Sequence, residues 1–223
     1  MISNDKEKKI INIIYNNNQP SINTYNLLKG KLEGKGFLIP NKYNKDAVLN
    51  ICIGGDGAFL RTMHKYQFPS IPFMGINTGH LGFFQEILPM NIDDFIDKYI
   101  ANDYDIESIF LIKANIQTKD RSFELYGINE IAIKGIESKV VHLEVFIHNN
   151  HLEKFSGDGI IISTPVGSTA YNFSSGGSIV YPSLKALQIT PLSPINSRAY
   201  RSLLNSTIVP GDIPITIKPE YRY

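Results

Sequence analysis

Cysteine is almost missing from this chain. Cys52 is the only one in 223 residues, so no intrachain disulfide and no cysteine-based zinc site can form. It lies inside an apolar run, where a small thiol packs rather than reacts. Net charge is equally scarce: 22 Lys and Arg oppose 21 Asp and Glu, leaving a formal +1. That balance offers no electrostatic footprint for nucleic acid or an anionic membrane. No apolar run approaches the ~18 residues of a membrane span. The stretch Met1 to Lys9 mixes both charges and lacks the apolar core of a signal peptide. The expectation is a soluble, cytoplasmic protein kept in a reducing compartment. Metal-ligand spacing is absent too: His64, His80, His142, His148 and His151 show no HExxH pattern, so no protein metal site is assigned. There are no internal repeats and no low-complexity tracts.

What is present is an apolar fraction of 43%, ample for a core. The first hundred residues alternate strand-like and helix-like segments. Lys9 to Tyr15 reads as a buried strand, Asn16 to Pro20 as a loop, and Tyr25, Leu28 and Leu32 recur at helical spacing with Gly36 as the stop. Phe37 to Ile39, Ala47 to Ile53 and Phe73 to Ile76 are further apolar runs. Asn91 is placed to cap a helix with Ile92, Phe95, Ile96, Tyr99 and Ile100 on one face. Such alternation predicts a parallel α/β sheet. After residue 104 the period changes to two. Val141, Leu143, Val145 and Ile147 alternate with polar neighbours, and Asn149-Asn150 reads as a hairpin turn into Leu152 to Phe155. Phe110 to Ile116, Phe123 to Tyr126 and Ile131 to Lys134 are additional strand candidates. The expected organisation is an α/β domain over 1–104 and a β-rich domain over 105–223.

Two segments carry chemistry. Gly54-Gly55-Asp56-Gly57 follows a buried strand and precedes the helical Ala58 to Lys65. Glycines there let backbone N–H groups approach an anion at a helix start. A carboxylate inside such a loop makes sense as a ligand through Mg²⁺ or as a base facing a hydroxyl beside phosphates. No Gly-Lys-Ser/Thr follows, and Leu60 stands where a dinucleotide fingerprint needs its third glycine. Taken alone, the four residues also suit an ordinary tight turn. The second segment runs from Gly157-Asp158-Gly159 through Thr164 to Tyr171 and on to Gly177. Its hydroxyls, small residues and one aromatic suit a polar nucleoside pocket, or a Ser/Gly-rich connection between strands. Asn129-Glu130 suits a ribose diol or a plain turn.

Taken together and in order, these segments resemble the NAD kinase family. Ile53 to Gly57 is similar to its glycine-rich aspartate loop, and Asn77-Thr78-Gly79-His80-Leu81-Gly82-Phe83 to its next loop. Asn129-Glu130 resembles its ribose-contacting pair, and Gly157 through Gly177 its serine/threonine signature. Pro182-Ser183 and Ile195-Asn196-Ser197-Arg198 through Pro210 fit as well. The likeness spans about residues 47–210, and its specificity lies in the combination, since lipid kinases and phosphofructokinases also carry Gly-Gly-Asp-Gly. The resemblance implies a small α/β domain with a β-rich one, and transfer of a phosphoryl group from ATP, with Mg²⁺ or another divalent cation, to the adenosine-ribose 2′-hydroxyl of NAD. Some members accept polyphosphate. It implies a homo-oligomer, a dimer or tetramer. By the same resemblance Asp56 is catalytic, between Gly55 and Gly57 of the binding loop. Asn129 and Glu130 hold the ribose, Thr169, Ala170 and Tyr171 receive adenine, Asp158 and Ser174 take the nicotinamide-riboside half, and Phe83 is an apolar wall.

Four positions depart from the family pattern. Ala58 replaces a hydroxyl residue, Val166 stands where Ser or Thr is common, Ser156 occupies a site often basic, and the chain ends at Tyr223, short of the family's usual C-terminal segment. A GGDG-type lipid or sugar kinase and a non-catalytic dinucleotide-binding protein are the competing readings.

Overall fold

The computed structural model describes residues 9–79, 82–196 and 202–220, the Ser138 side chain excepted. The chain divides into two compact units, Met1–Glu107 and Ser108–Tyr223.

The first unit is α/β. Strands β1 (Ile11–Tyr15), β2 (Leu49–Gly54) and β3 (Phe73–Asn77) form a parallel sheet in the order β1-β2-β3. All six residues of β2 are buried, as a central strand covered on both faces requires. Helix α1 (Gln19–Gly34) starts earlier than the sequence suggests. The expected loop over Asn16 to Pro20 is already helical at Gln19, because the Asn18 carboxamide oxygen accepts from the Ser21 amide at 2.9 Å and Pro20 suits a first turn. Leu28 and Leu32 are fully buried, and Gly36 takes the left-handed conformation just past the end. Helix α2 (Asp56–Lys65) follows β2 directly. Helix α3 (Ile92–Ala101) buries Ile92, Phe95 and Ile96. Ile100 points outward instead of joining that face, and the Asn91 side chain makes no capping bond. Leu28, Leu32, Ile92, Phe95 and Ile96 join Ile11, Ile51, Ile53 and Ile76 in one core. Cys52 is buried in β2, and desolvation pushes its thiol up to about 12, an inert thiol.

The second unit is built of antiparallel strands. They are β4 (Ile112–Gln117), β5 (Ser122–Gly127), β6 (Glu130–Lys134), β7 (Val141–Ile147), β8 (Asn150–Gly157) and β9 (Gly159–Ser163). After the one-turn helix α4 (Tyr171–Ser174) come β10 (Ala186–Leu192), β11 (Thr207–Pro210) and β12 (Ile215–Pro219). They pair as β11-β10-β9-β6, β12-β7-β8 and β4-β5. Leu143, Val145, Phe155, Ile160, Ile162, Ile189 and Val209 draw strands of the two larger sheets into a single core. The hairpin turn is one residue earlier than expected. His148 and Asn149, not Asn149 and Asn150, have positive φ, at 47° and 67°, the pair of left-handed residues that a two-residue hairpin loop needs. Among the described residues no helix is long and apolar enough to cross a membrane.

Candidate active site

In the first unit, the end of β2 passes through Gly55 directly into α2, so Asp56 is the opening residue of the helix. A carboxylate there meets the positive end of the helix dipole. It is half-buried, and both of its oxygens are engaged from a segment far along the chain. The Phe83 amide donates to Oδ2 at 2.6 Å and the Phe84 amide to Oδ1 at 2.9 Å. Four contacts pin that segment. Phe84 stacks on Phe59 of α2 with centroids 5.1 Å apart, the Gln85 side-chain amide donates to the Gly55 carbonyl at 3.2 Å, the Asn77 N–H donates to the Ile87 carbonyl, and the Ile87 N–H donates to the Gly75 carbonyl. Gly82 allows the approach, for a Cβ there would lie 2.5 Å from Asp56 Oδ1. The aspartate is thus an oriented acceptor. Each oxygen takes one N–H, and a carboxylate has about four acceptor positions in all, so capacity remains for a hydroxyl. Phe83 itself projects outward, 53% exposed, against the edge of Phe84. His80 and Leu81 of this loop lie outside the described residues, as do Ser197 and Arg198.

In the second unit the serine/threonine segment is sorted by the strand beneath it. Asn172 is fully buried. Its amide donates to the Ser168 carbonyl and to Gln188 Oε1, both at 3.1 Å, and its carbonyl oxygen accepts from the Thr190 hydroxyl at 2.6 Å. The Ser168 hydroxyl bridges to the backbone of Val180, accepting from its N–H at 2.9 Å. These inward groups hold the loop and have no capacity turned to solvent. Thr169, Tyr171 and Ser174 are exposed and Ala170 half-buried, so the residues assigned to adenine and the nicotinamide side occupy the outer face. Tyr171 accepts a hydrogen bond from Lys134 Nζ at 3.2 Å.

The same loop descends onto Asn129-Glu130. The Thr164 amide donates to the Asn129 carbonyl at 2.8 Å, and Gly167 is packed so closely that a Cβ would lie 1.9 Å from that oxygen. Glu130 pairs with Ser163 in the sheet. Its Oε2 is buried without a hydrogen-bond partner among the described residues, and burial raises its pKa above the usual carboxylate value. Asp158 lies elsewhere. It follows β8 at the other end of β9, next to the Gly159–Lys134 pair, which lies about 13 Å by strand length from the Ser163–Glu130 pair. Its carboxylate is exposed, and its backbone is tied to Leu192 and Gly135. Of the departures noted in the sequence, Ala58 and Val166 are buried, and Ser156 is a buried partner of His142 at 2.8 Å.

Sequence reasoning missed three parts of this arrangement: the Phe83 and Phe84 amides on Asp56, Lys134 against Tyr171, and the pair Gln188 and Thr190. Two polar side chains inside the otherwise apolar β10 were the one available signal for the last.

Comparison with known proteins bears on this combination of a clamped loop aspartate and an outward-facing polar loop. The model of the ATP-NAD kinase N-terminal domain matches residues 37–104, and that of the ATP-NAD kinase C-terminal domain matches 128–222. An NAD kinase of Finegoldia magna is 54% identical over 215 residues, covering 96% of this chain and 79% of the relative. The chain belongs to the NAD kinase family. An NAD kinase of Lactobacillus acidophilus is 37% identical across 94% of this chain and 78% of its own length. The fold agrees with solved members. Yeast NADH kinase, complexed with NADH, superimposes with a TM-score of 0.82 at 22% identity, over 95% of this chain and 72% of that one. An Archaeoglobus fulgidus NAD kinase in complex with ATP gives 0.75 at 23% identity, over 95% and 81%. Membership makes this family member a phosphotransferase with NAD as acceptor. The expected α/β part with a parallel sheet and β-rich part are those of the NAD kinase fold.

Proposed function

We propose that the chain transfers the γ-phosphoryl group of ATP to the 2′-hydroxyl of the adenosine ribose of NAD, with Asp56 as the base. The observation that carries this reading is the clamp on Asp56, whose carboxylate is held by two backbone amides at the mouth of a glycine loop. A base must be fixed within reach of the proton it takes, and this one is fixed without its remaining acceptor positions being filled. In the transfer the ribose oxygen bonds to the γ-phosphorus and its proton passes to Asp56. The bond from γ-phosphorus to the β-phosphate oxygen breaks, and ADP leaves.

Asn129 and Glu130 hold the ribose, the orphaned Glu130 oxygen being an acceptor for a hydroxyl. Thr169, Ala170 and Tyr171 receive adenine, with Gly55, Gly57 and Phe83 completing the binding set. Asp158 and Ser174 take the nicotinamide-riboside half; the separation of Asp158 from Glu130 along β9 suits the two ends of an extended dinucleotide. In this assignment 1–104 supplies the base and 105–223 the dinucleotide-binding surface, in a cytoplasmic homo-oligomer, dimer or tetramer. Among the described residues no three His, Cys, Asp or Glu side chains gather to hold a metal. A divalent cation would be carried mainly by the phosphates of the substrate, which leaves Asp56 to the ribose hydroxyl. When bound, the cation neutralises developing charge on the phosphates.

Incubation with NAD and Mg·ATP, followed by an NADP-specific dehydrogenase and ³¹P NMR of the product, tests this directly. A 2′-phosphate resonance is expected. A phosphate at another hydroxyl, or a lipid or sugar acceptor preferred over NAD, would overturn the reading, and binding of NAD without turnover would favour a non-catalytic role.

A further inference from the structure

The first unit has a second concavity, at the far end of β2 from Asp56. A cavity of about 740 Å³ opens at the N-terminal edge of the sheet, where Val48 and Pro72 lead into β2 and β3. That volume is in the range of small-molecule sites. Its Val48 wall stands about 20 Å by strand length from Gly54 and the aspartate loop. Tyr43, Val48, Tyr66, Ile71 and Pro72 supply apolar walls, and its charged residues are Lys45 and Lys65. Tyr66 follows the last residue of α2 and stacks on Tyr43, with ring centroids 3.6 Å apart and planes at 11°. The Lys65 ammonium lies 5.4 Å from the Tyr66 centroid. Neither lysine ion-pairs with a carboxylate among the described residues.

The support behind the tyrosines is under-satisfied. The Asn12 amide donates to Asn50 Oδ1 and to the Asn44 carbonyl, both at 2.8 Å, and the Asn44 N–H returns a bond to Asn12 Oδ1 at 2.9 Å. Along that chain the Asn50 amide nitrogen and the hydroxyl of Tyr43, next to Asn44, are buried without partners among the described residues. Each is a desolvation cost that folded chains rarely keep without a role. The rim is strained as well. Gln67, which lines the cavity, and Phe68 are consecutive non-glycine residues with φ of 57° and 52°. That left-handed pair is held by the Phe68 N–H donating to the Met63 carbonyl at 2.9 Å, and such strain gathers at ligand sites. We propose that this cavity binds a planar aromatic anion, its ring packed against the tyrosine pair and its charge met by Lys45 and Lys65. Aromatic walls reward a flat ring, and a charged lining of one sign selects the opposite charge. An aryl carboxylate and a nucleoside monophosphate share that chemistry. The site stands apart from the aspartate loop and does not depend on the phosphotransfer reading.

The test follows the methyl resonances of Val48 and Ile71, both in the cavity wall. The full chain is titrated with 2-naphthoate, with its neutral amide 2-naphthamide and with UMP, each alone and then with saturating NAD or saturating ATP. Saturable shifts with 2-naphthoate, with UMP or with both are expected, and the pattern tells an aryl acid from a mononucleotide. NAD and ATP should leave the affinity unchanged. Replacing both lysines, Lys45→Ala with Lys65→Ala, should weaken binding by roughly fivefold, as two exposed charge contacts imply. Lys45→Arg with Lys65→Arg should retain it. Both lysines are exposed, so these variants should melt as wild type does. Tyr66→Leu should also weaken binding, while Tyr66→Phe keeps the stack and the affinity. No saturable shift with either anion would overturn the assignment. So would equal affinity for 2-naphthamide, displacement by NAD or ATP, or full affinity in the double alanine variant.

Discussion

Replacing Asp56 by asparagine keeps the size of the side chain but swaps one of its acceptors for an N–H donor pair. In the native loop both oxygens accept, from Phe83 at 2.6 Å and from Phe84 at 2.9 Å. An asparagine can satisfy one amide and must present its own NH₂ to the other. One charge-assisted bond lost from a half-buried site is worth roughly 1.5–3 kcal/mol, less for the exposed fraction. Loss of a general base costs about 10²–10⁴ in rate. The variant should therefore bind NAD, form NADP at least about a hundredfold more slowly, and melt a few degrees lower. Gly82→Ala separates geometry from chemistry. The carboxylate survives, but the new Cβ would stand 2.5 Å from Oδ1, so side chain and loop must part by about 1 Å, a misplacement that can cost up to about 10²-fold. Initial rates of NADP formation at saturating NAD and ATP, with thermal melts alongside, decide the matter. Full turnover by Asp56→Asn would falsify the base assignment. Full turnover by Gly82→Ala with an unperturbed melt would show that the clamp does not matter for catalysis.

Three further outcomes are expected. Burial raises the Glu130 pKa, so its folded-state contribution is greatest below the unfolded value near pH ~4.3 and is lost as pH rises through the folded value. Glu130→Gln should accordingly raise Tm by about 2–4 °C at pH 7 for roughly 1 kcal/mol, and the gain should vanish near pH 4. An equal gain at both pH values would refute the burial argument. Asn172→Ala removes one donor to Gln188 and the closer acceptor of the Thr190 hydroxyl inside the second unit, leaving Gln188 on Ser178 and Thr190 on Gln188, and should lower stability by roughly 1–3 kcal/mol; a urea midpoint shift equivalent to less than about 0.5 kcal/mol would mean the network does not hold the loop. Tyr171→Ala should lower the melt only slightly, since the residue is 38% exposed and its hydroxyl meets only the exposed Lys134, while KM for NAD rises roughly fivefold or more from lost stacking. A destabilised protein with normal NAD affinity would make Tyr171 a packing residue.

Elements with strong periodicity were legible in the sequence. The apolar run before Gly54, the helical spacing of Leu28 and Leu32 and the alternation through Val141 to Ile147 each report a buried face, and each element formed there. Element ends were less legible, because they depend on single hydrogen bonds. The Asn18 cap hid within a run of three asparagines, and the hairpin turn fell one residue away because φ at His148 and Asn149 follows from the pairing of β7 with β8. The family could be read directly, and so could the polar composition of the proposed site residues. How those residues are divided could not. Composition marked Ser168, Thr169, Tyr171 and Asn172 alike as polar pocket residues, yet Gln188 and Thr190, brought alongside by β10, turn Asn172 inward, the Val180 backbone does the same for Ser168, and Thr169 and Tyr171 are left facing out. Likewise the aspartate's place in a glycine loop is a local fact, but its orientation comes from amides 27 and 28 residues further on. Periodicity states which side of an element meets the core. Which atom is oriented, filled or left free depends on contacts made by segments distant in the chain, and only the tertiary structure decides those.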